Sequence, residues 1–377
     1  MEERNNINKF RKKRARQKLL LRLGVILLVV LTIVLIIINW SRIIEPFKDA
    51  ALDVGEGGFP VELPGSAGYY LDGLGESFYL LTDTYIYTYT GDGALITDVQ
   101  HGFQNAVSKA NEKRVVVYDK NGKSFKFFSR TGEEYGLTLE DSIVFAEIGN
   151  DERCAVVTTS TRYSNYLYVY NGEGKQIFRW ASPDYKIMQV AFSEDDKSIF
   201  VTALGAEGGE LQLYLLRFDL DNAESQIWQT YIGNDISYDL SIAGGNVLVV
   251  TGSGAVMADH DSGEVLCETS FGKSVSEIPC GDKLISMVFS DPASSGDVLT
   301  VYDNGLETSA TLYISDLTAV CEDKGRMYVL AGSVLSSYDS SLKLVKNYEL
   351  DDVYSDVIII DGYAYLLGYN VVQRIAL

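Results

Sequence analysis

The stretch Tyr85–Thr97 reads YIYTYTGDGALIT. Gly91-Asp92-Gly93 within it fits two descriptions. It could be a glycine-rich loop that cradles an anion or a cation, or the tight turn of a hairpin. The rest of the chain favours the turn, because related phrases recur: NYLYVYNGEGKQIFRW from Asn165 and GAVMADHDSGEVLCET from Gly254. A phrase that repeats is architecture before it is a binding site. As a turn, Asp92 and Gly93 supply the positive φ angles required. Tyr85, Tyr87 and Tyr89 then share one strand face, placed to pack against the next repeat.

Outward from this stretch, polar turns fall near Asp92, Gly132, Gly172, Asp221, Ser262, Asn304 and Ser340. A strand-built period of about 40 residues marks a β-propeller blade, whereas solenoids of that period are helical. Composition agrees: 34 Gly and 25 Tyr against 6 Pro favour strands and turns. The fifth unit divides into YDLSIAGG, NVLVVTGS, GAVMADHD and EVLCETSF. The seventh divides the same way, from Leu317 to Leu350. Runs such as Val115–Val117 and Val357–Ile360 are apolar on both faces, as expected of strands sandwiched between blades. The count is eight blades, with seven as the alternative. The eighth ends at Leu377 without an outer strand. GGFPVEL, 57–63, is strand-like and is expected to supply it, closing the ring and removing an exposed edge. Pro60 is tolerable on such an outermost strand.

GAVMADHDSGEVLC resembles the blade consensus of the quinoprotein (PQQ-like) propeller superfamily through Gly254, Val256, Ala258, Asp261, Ser262, Gly263, Glu264 and Leu266. Cys267 stands where that family places Trp, and Phe178 and Trp228 align to the same place in blades three and four. FSEDDKSIFV, 192–201, is similar to turns of WD40-like propellers. The resemblance implies a fold and no particular activity. It also implies what a quinone dehydrogenase would carry, an adjacent cysteine pair; here no two cysteines are adjacent.

The N-terminus is of another kind. Residues 1–22 hold nine basic residues, Arg4, Lys9, Arg11, Lys12, Lys13, Arg14, Arg16, Lys18 and Arg22, against Glu2 and Glu3. Residues 19–40 form an apolar run long enough to cross a bilayer of about 30 Å, and no small-residue cleavage site follows it. The expected layout is a cytoplasmic basic tail (1–22), a signal-anchor helix in the lipid bilayer (19–40), a stalk (41–57) and an external propeller (58–377). The whole chain holds 32 Lys and Arg against 52 Asp and Glu. Without the tail's nine and two, 23 basic and 50 acidic residues remain, a net charge of −27 that repels nucleic acid.

Chemistry-bearing motifs are sparse. Only His101 and His260 are present, too few for a three-histidine zinc site, and His260 is expected as a solvated strand-end residue. Asp259–Gly263 hints at a calcium loop but Ser270 stands at the twelfth position, where an EF-hand requires Glu, and Asp119–Gly122 reads as a turn. No cofactor or metal is expected. Cys154, Cys267, Cys280 and Cys321 contain no C-x-x-C pair; one bridge, Cys280 to Cys321, is conceivable. Binding is therefore expected at the mouth where the turns between blades meet the starts of the inner strands. Tyr69, Asn105, Asp141, Tyr185, Asp235, Tyr238, Asp316 and Tyr354 occupy those positions. These residues either contact a ligand or plug the central channel. The expected function is a non-catalytic envelope scaffold that binds a protein or cell-surface ligand. The alternatives are an envelope enzyme acting on glycan or peptide, or a sensor working through a membrane partner.

Overall fold

The computed structural model describes residues 22, 24, 27–34 and 54–377, except 66, 67, 151, 223–225, 280, 282 and 292–295. Two compact units are present, Met1–Val54 and Gly55–Leu377. In the first, 27–34 are helical, with apolar side chains exposed from Leu27 to Val34. No helix among the described residues is long and apolar enough to cross a membrane; most of the expected anchor (19–40) and stalk (41–57) lies outside the described residues.

The second unit contains eight four-stranded antiparallel sheets among the described residues. Seven are consecutive in sequence, at 70–100, 106–138, 143–182, 186–233, 237–270, 275–314 and 317–349. In each, four strands run A to D from the ring axis outward. The eighth combines Asp356–Ile360, Tyr363–Leu367 and Val371–Ala376 with Val61–Glu62, which adds at the outer edge. Val61 pairs with Val372 and Glu62 with Val371; the Leu63 N–H donates to the Asn370 carbonyl at 2.9 Å. The ring therefore has eight blades and closes through the N-terminal strand.

The repeated phrase has a physical origin. At most C–D turns an Asx side chain caps the backbone. Asp259 Oδ1 accepts from the Asp261 and Ser262 N–H groups at 3.1 and 2.8 Å. Asn171, Asp303 and Asp339 do the same two and four residues on. The chain turns left-handed three residues after the caps Asn171, Asp303 and Asp339, at Gly174, Leu306 and Leu342, and four residues after Asp259, at Gly263. Leu306 and Leu342 bear that strain because both are buried in the core. In the C–D turn of the first blade Gly93 has positive φ, at 91°, and Asp92 does not. Asp92 instead accepts from the Thr90 hydroxyl, so its expected left-handed geometry is corrected. Phe178, Trp228 and Cys267 share one register, each opposite the residue two before its cap.

The core is segmented: eight apolar clusters each join two neighbouring blades. Tyr89 stacks on Phe78 at 5.1 Å and 9°, in a cluster shared with Ile360, Tyr365, Leu367 and Val372. That is the eighth blade, so the tyrosine face of Tyr85–Tyr89 packs on the preceding blade in the ring and not the following one. The next interface instead holds Tyr79, Leu81 and Ile86 against Val115, Val117 and Phe128.

Candidate functional site at the ring mouth and axis

The D–A connections and B–C turns lie at one end of the ring, because strands A and C run away from that end and B and D return to it. All eight expected positions fall at this mouth, but their environments differ. Tyr354 is 7% exposed and belongs to the core between blades seven and eight. Tyr69 packs at the interface of blades eight and one, with its hydroxyl buried and unpartnered. Tyr185 lies 5.2 Å from Tyr214 between blades three and four, and its hydroxyl accepts from Gln229 Nε2 at 3.5 Å. These three rings serve packing between blades. Tyr238 differs, at 53% exposed.

Asp235 ties two loops together. It accepts from Ile236 N–H at 2.7 Å and from both the N–H and Oγ–H of Ser253 at 2.7 Å. Burial alone would raise its carboxyl, but the bonds from Ser253 and Ile236 outweigh it and hold it below the usual carboxylate range. That suits a structural clasp and not a proton donor. Asn105 and Asp316 are exposed; Asp316 sits in left-handed geometry, with φ 56°. Asp141 is half-buried.

A second constellation escaped sequence reasoning. The inner strands carry Asp72, Lys109, Glu147, Gln189, Asp239, Glu277 and Asp356. Lys109 Nζ lies 3.5 Å from Glu147 Oε2 and also acts electrostatically on Asp72 and Asp239, in blades one and five. A single lysine reaching three blades places these groups around the axis. Burial pushes all five carboxyls above their ordinary values; Lys109 pulls Asp72, Glu147 and Asp239 partly back. Asp72 also accepts from the Gly73 N–H at 2.7 Å and from the Tyr70 and Tyr79 hydroxyls. The available signal was a charged or amide side chain on each of these inner strands, in some beside further polar residues.

At the opposite end, a cleft of about 570 Å³ between blades four and five is lined by Arg217, His260, Asp261, Asp219 and Asp195 among others. The expected solvated His260 is instead half-buried, edge-on to Phe200 at 5.1 Å, with Nδ1 3.1 Å from Asp261 Oδ1. Arg217 donates to Ser198 Oγ, Asp261 Oδ1 and the His260 carbonyl, so these groups brace the junction. His101 is buried; its Nδ1 accepts from Phe103 N–H at 3.1 Å and Nε2 faces the Thr82 carbonyl. No cluster of three metal-ligating side chains occurs among the described residues. Cys280 lies outside them, so the conceivable Cys280–Cys321 bridge does too.

No curated protein matches the chain in sequence. Among solved structures, BamB from Moraxella catarrhalis is 12% identical, with 82% of this chain and 96% of that one covered at a TM-score of 0.54. Sqt1 from Saccharomyces cerevisiae is 10% identical, covering 84% and 99% at 0.61. The C-terminal WD40 domain of Sif2 is 10% identical, covering 86% and 99% at 0.59. At these identities the likeness is one of fold, that of the β-propeller. A family model described as a family of unknown function, DUF5711, matches residues 65–377, and the chain belongs to that family.

Proposed function

We propose that the protein is a non-catalytic binding scaffold, anchored through residues 19–40 with its propeller outside the cytoplasm and its ligand or partner taken at the ring mouth. The observation that carries the reading is the mouth itself. A closed rigid ring brings every blade's D–A connection to one end and leaves Tyr238, a rigid amphipathic ring, half in solvent there. The fold shared with WD40-like propellers fits a binding role. The anchor rests on the basic tail, the apolar run that no small-residue cleavage site follows and the exposed apolar helix at 27–34. The test is chemical cross-linking of the full chain in envelope membranes, followed by mass spectrometry, comparing the parent with Tyr238→Ala. A reproducible partner lost in the variant supports the reading. Turnover of envelope glycan or peptide would overturn it.

The enzyme alternative draws on one observation, the raised carboxyls around the axis, since perturbed carboxyls gather at catalytic sites. It requires hydrolysis that disappears in Asp72→Asn or Glu147→Gln while the fold persists.

A further inference from the structure

We infer that the fourth blade carries a docking ledge for an extended partner segment, apolar at its centre and basic at its flanks. The inference rests on the binding-scaffold reading and places its contact on named residues. Strands B and C of this blade, Ser198–Glu207 and Glu210–Asp219, pair over ten residue pairs. The corresponding hairpin of blade five pairs over four. Strand A pairs with B only as far as Leu204, and strand D with C only as far as Leu213. Residues 205–207 and 210–212 therefore form a two-stranded ribbon beyond both neighbours. Three residue pairs at about 3.4 Å each give an overhang of about 10 Å.

The overhang uncovers one apolar face. Phe200, Leu213 and Leu215 point at blade five, where they share a core with Leu240, Val247 and Val249. Strand alternation carries that face on to Ala206 and Leu211, which sit opposite each other in the ribbon. Blade five offers nothing of equal height, because its B–C turn is only Gly252-Ser253. Leu211 is left 41% exposed, and Ile236 and Tyr238 on the adjoining connection are 39% and 53% exposed. The blade-three side of the same hairpin is occupied instead, with Tyr185 lying against Gly205 and Tyr214.

Two features define the occupant. The ribbon edges beyond Leu204 and Leu213 present strand backbone without a neighbouring strand, which suits an extended chain adding by main-chain hydrogen bonds. The tip carries Glu207 and Glu210 facing each other across Gly208-Gly209, both exposed and with no ion pair among the described residues. Carboxylates beside an apolar strip complement a segment with valine-like side chains between lysines or arginines. Blade five provides a height difference and not a cover, so the ledge is open to a partner.

The test uses the full-length chain in detergent and three fluorescent nonapeptides. All three have a centre of alternating valine and threonine; two have lysine or glutamate pairs at both ends, and the third is lysine-flanked with a central proline. Anisotropy should show saturable binding of the lysine-flanked peptide. Binding should weaken at least tenfold with glutamate flanks and at least tenfold with the central proline. Leu211→Asp, at an exposed position, should weaken it at least tenfold with an unchanged melting temperature. Glu207→Gln with Glu210→Gln should narrow the gap between lysine and glutamate flanks. No saturable binding, or binding indifferent to Leu211→Asp, would overturn the ledge. So would a dimer of this chain that Leu211→Asp dissolves, since a second copy would then be the occupant. Envelope cross-linking separates the two levels of inference. Partners captured equally by the parent and Leu211→Asp leave the scaffold standing and remove the ledge; no capture by either removes the scaffold.

Discussion

Deleting residues 57–63 should break the ring at its seam. The deletion removes the pairing of Val61 and Glu62 with Val372 and Val371, and the Leu63 bond to Asn370. Val61 and Leu63 are buried, each 8% exposed. Phe59 is lost as well; its ring meets Tyr365 edge-on at 5.7 Å and lies 4.7 Å from the Arg374 guanidinium. Full burial of such side chains contributes about 1.5–3 kcal/mol each. With Phe59 counted at less because it is half-buried, the three contribute about 4–7 kcal/mol. This is an upper figure, since the unfolded chain also hides some apolar surface. Net domain stability is about 5–15 kcal/mol, so a large share of it is at stake.

The assay is calorimetry with size-exclusion chromatography on the full chain and the deletion. A drop of about 8–15 °C is expected. Self-association should accompany it, because strand Val371–Ala376 becomes an open edge. A deletion that melts within two degrees of the parent and stays monomeric refutes closure by this strand. A register test is independent: cysteines replacing Glu62 and Val371, which are directly paired, should form a disulfide on oxidation. Thiols that remain free would place the strand elsewhere.

The axial carboxyls make stability depend on pH. Asp72, Glu147, Asp239, Glu277 and Asp356 have folded pKa values above their unfolded ones, so the folded state holds protons more tightly and denaturant stability should rise as pH falls from 7 toward 5. His101, lowered by burial, opposes this as pH drops below its unfolded value; the rise should steepen in His101→Gln and flatten in Asp72→Asn with Asp239→Asn. Lys109→Met removes the cation nearest Glu147 and should lower stability at pH 8 more than at pH 5, as followed by urea unfolding. Tyr185→Ala should cost about 2–4 kcal/mol in the same assay, because its ring fills the interface of blades three and four, whereas Tyr238→Ala should leave stability within about 0.5 kcal/mol. Protease added to spheroplasts should remove a C-terminal tag and spare an N-terminal one; the reverse would sink the expected topology.

The fold was legible because each blade repeats its own instructions. The Asx caps at Asn171, Asp259, Asp303 and Asp339, each followed by a left-handed residue three or four positions on, recur with enough regularity to be counted, and doubly apolar runs such as Val115–Val117 reveal strands covered on both sides. Even the closing strand could be read, since the eighth unit lacks its outer member. The direction of packing could not. Nothing local to Tyr85, Tyr87 and Tyr89 says whether their face meets the preceding or the following blade; that depends on the path of the whole ring. The expected mouth residues all lie at the D–A end of the ring, as the repeat implies. Their individual burial depends on neighbours tens of residues away: Tyr354 is sealed by Val357 and Ala364 of its own blade and by Leu330 and Leu335 of blade seven.

The axial groups show the limit most sharply. An Asp or Glu in a mostly apolar strand reads as an ordinary solvent-facing position, and only closure of the ring brings Asp72, Glu147 and Asp239 to Lys109 and Asp356 within electrostatic reach of Asp72 and Glu277. Their like charges add no packing and work against the compact state at neutral pH. The ring tolerates this because the eight interblade clusters supply the apolar burial. Truncating a residue of an interblade cluster tests the fold, whereas neutralising one axial carboxyl removes an unfavourable charge and leaves the packing intact. A loss of partner binding on such a neutralisation, with stability unchanged or raised, would assign the axis a functional part that no contact within the protein accounts for.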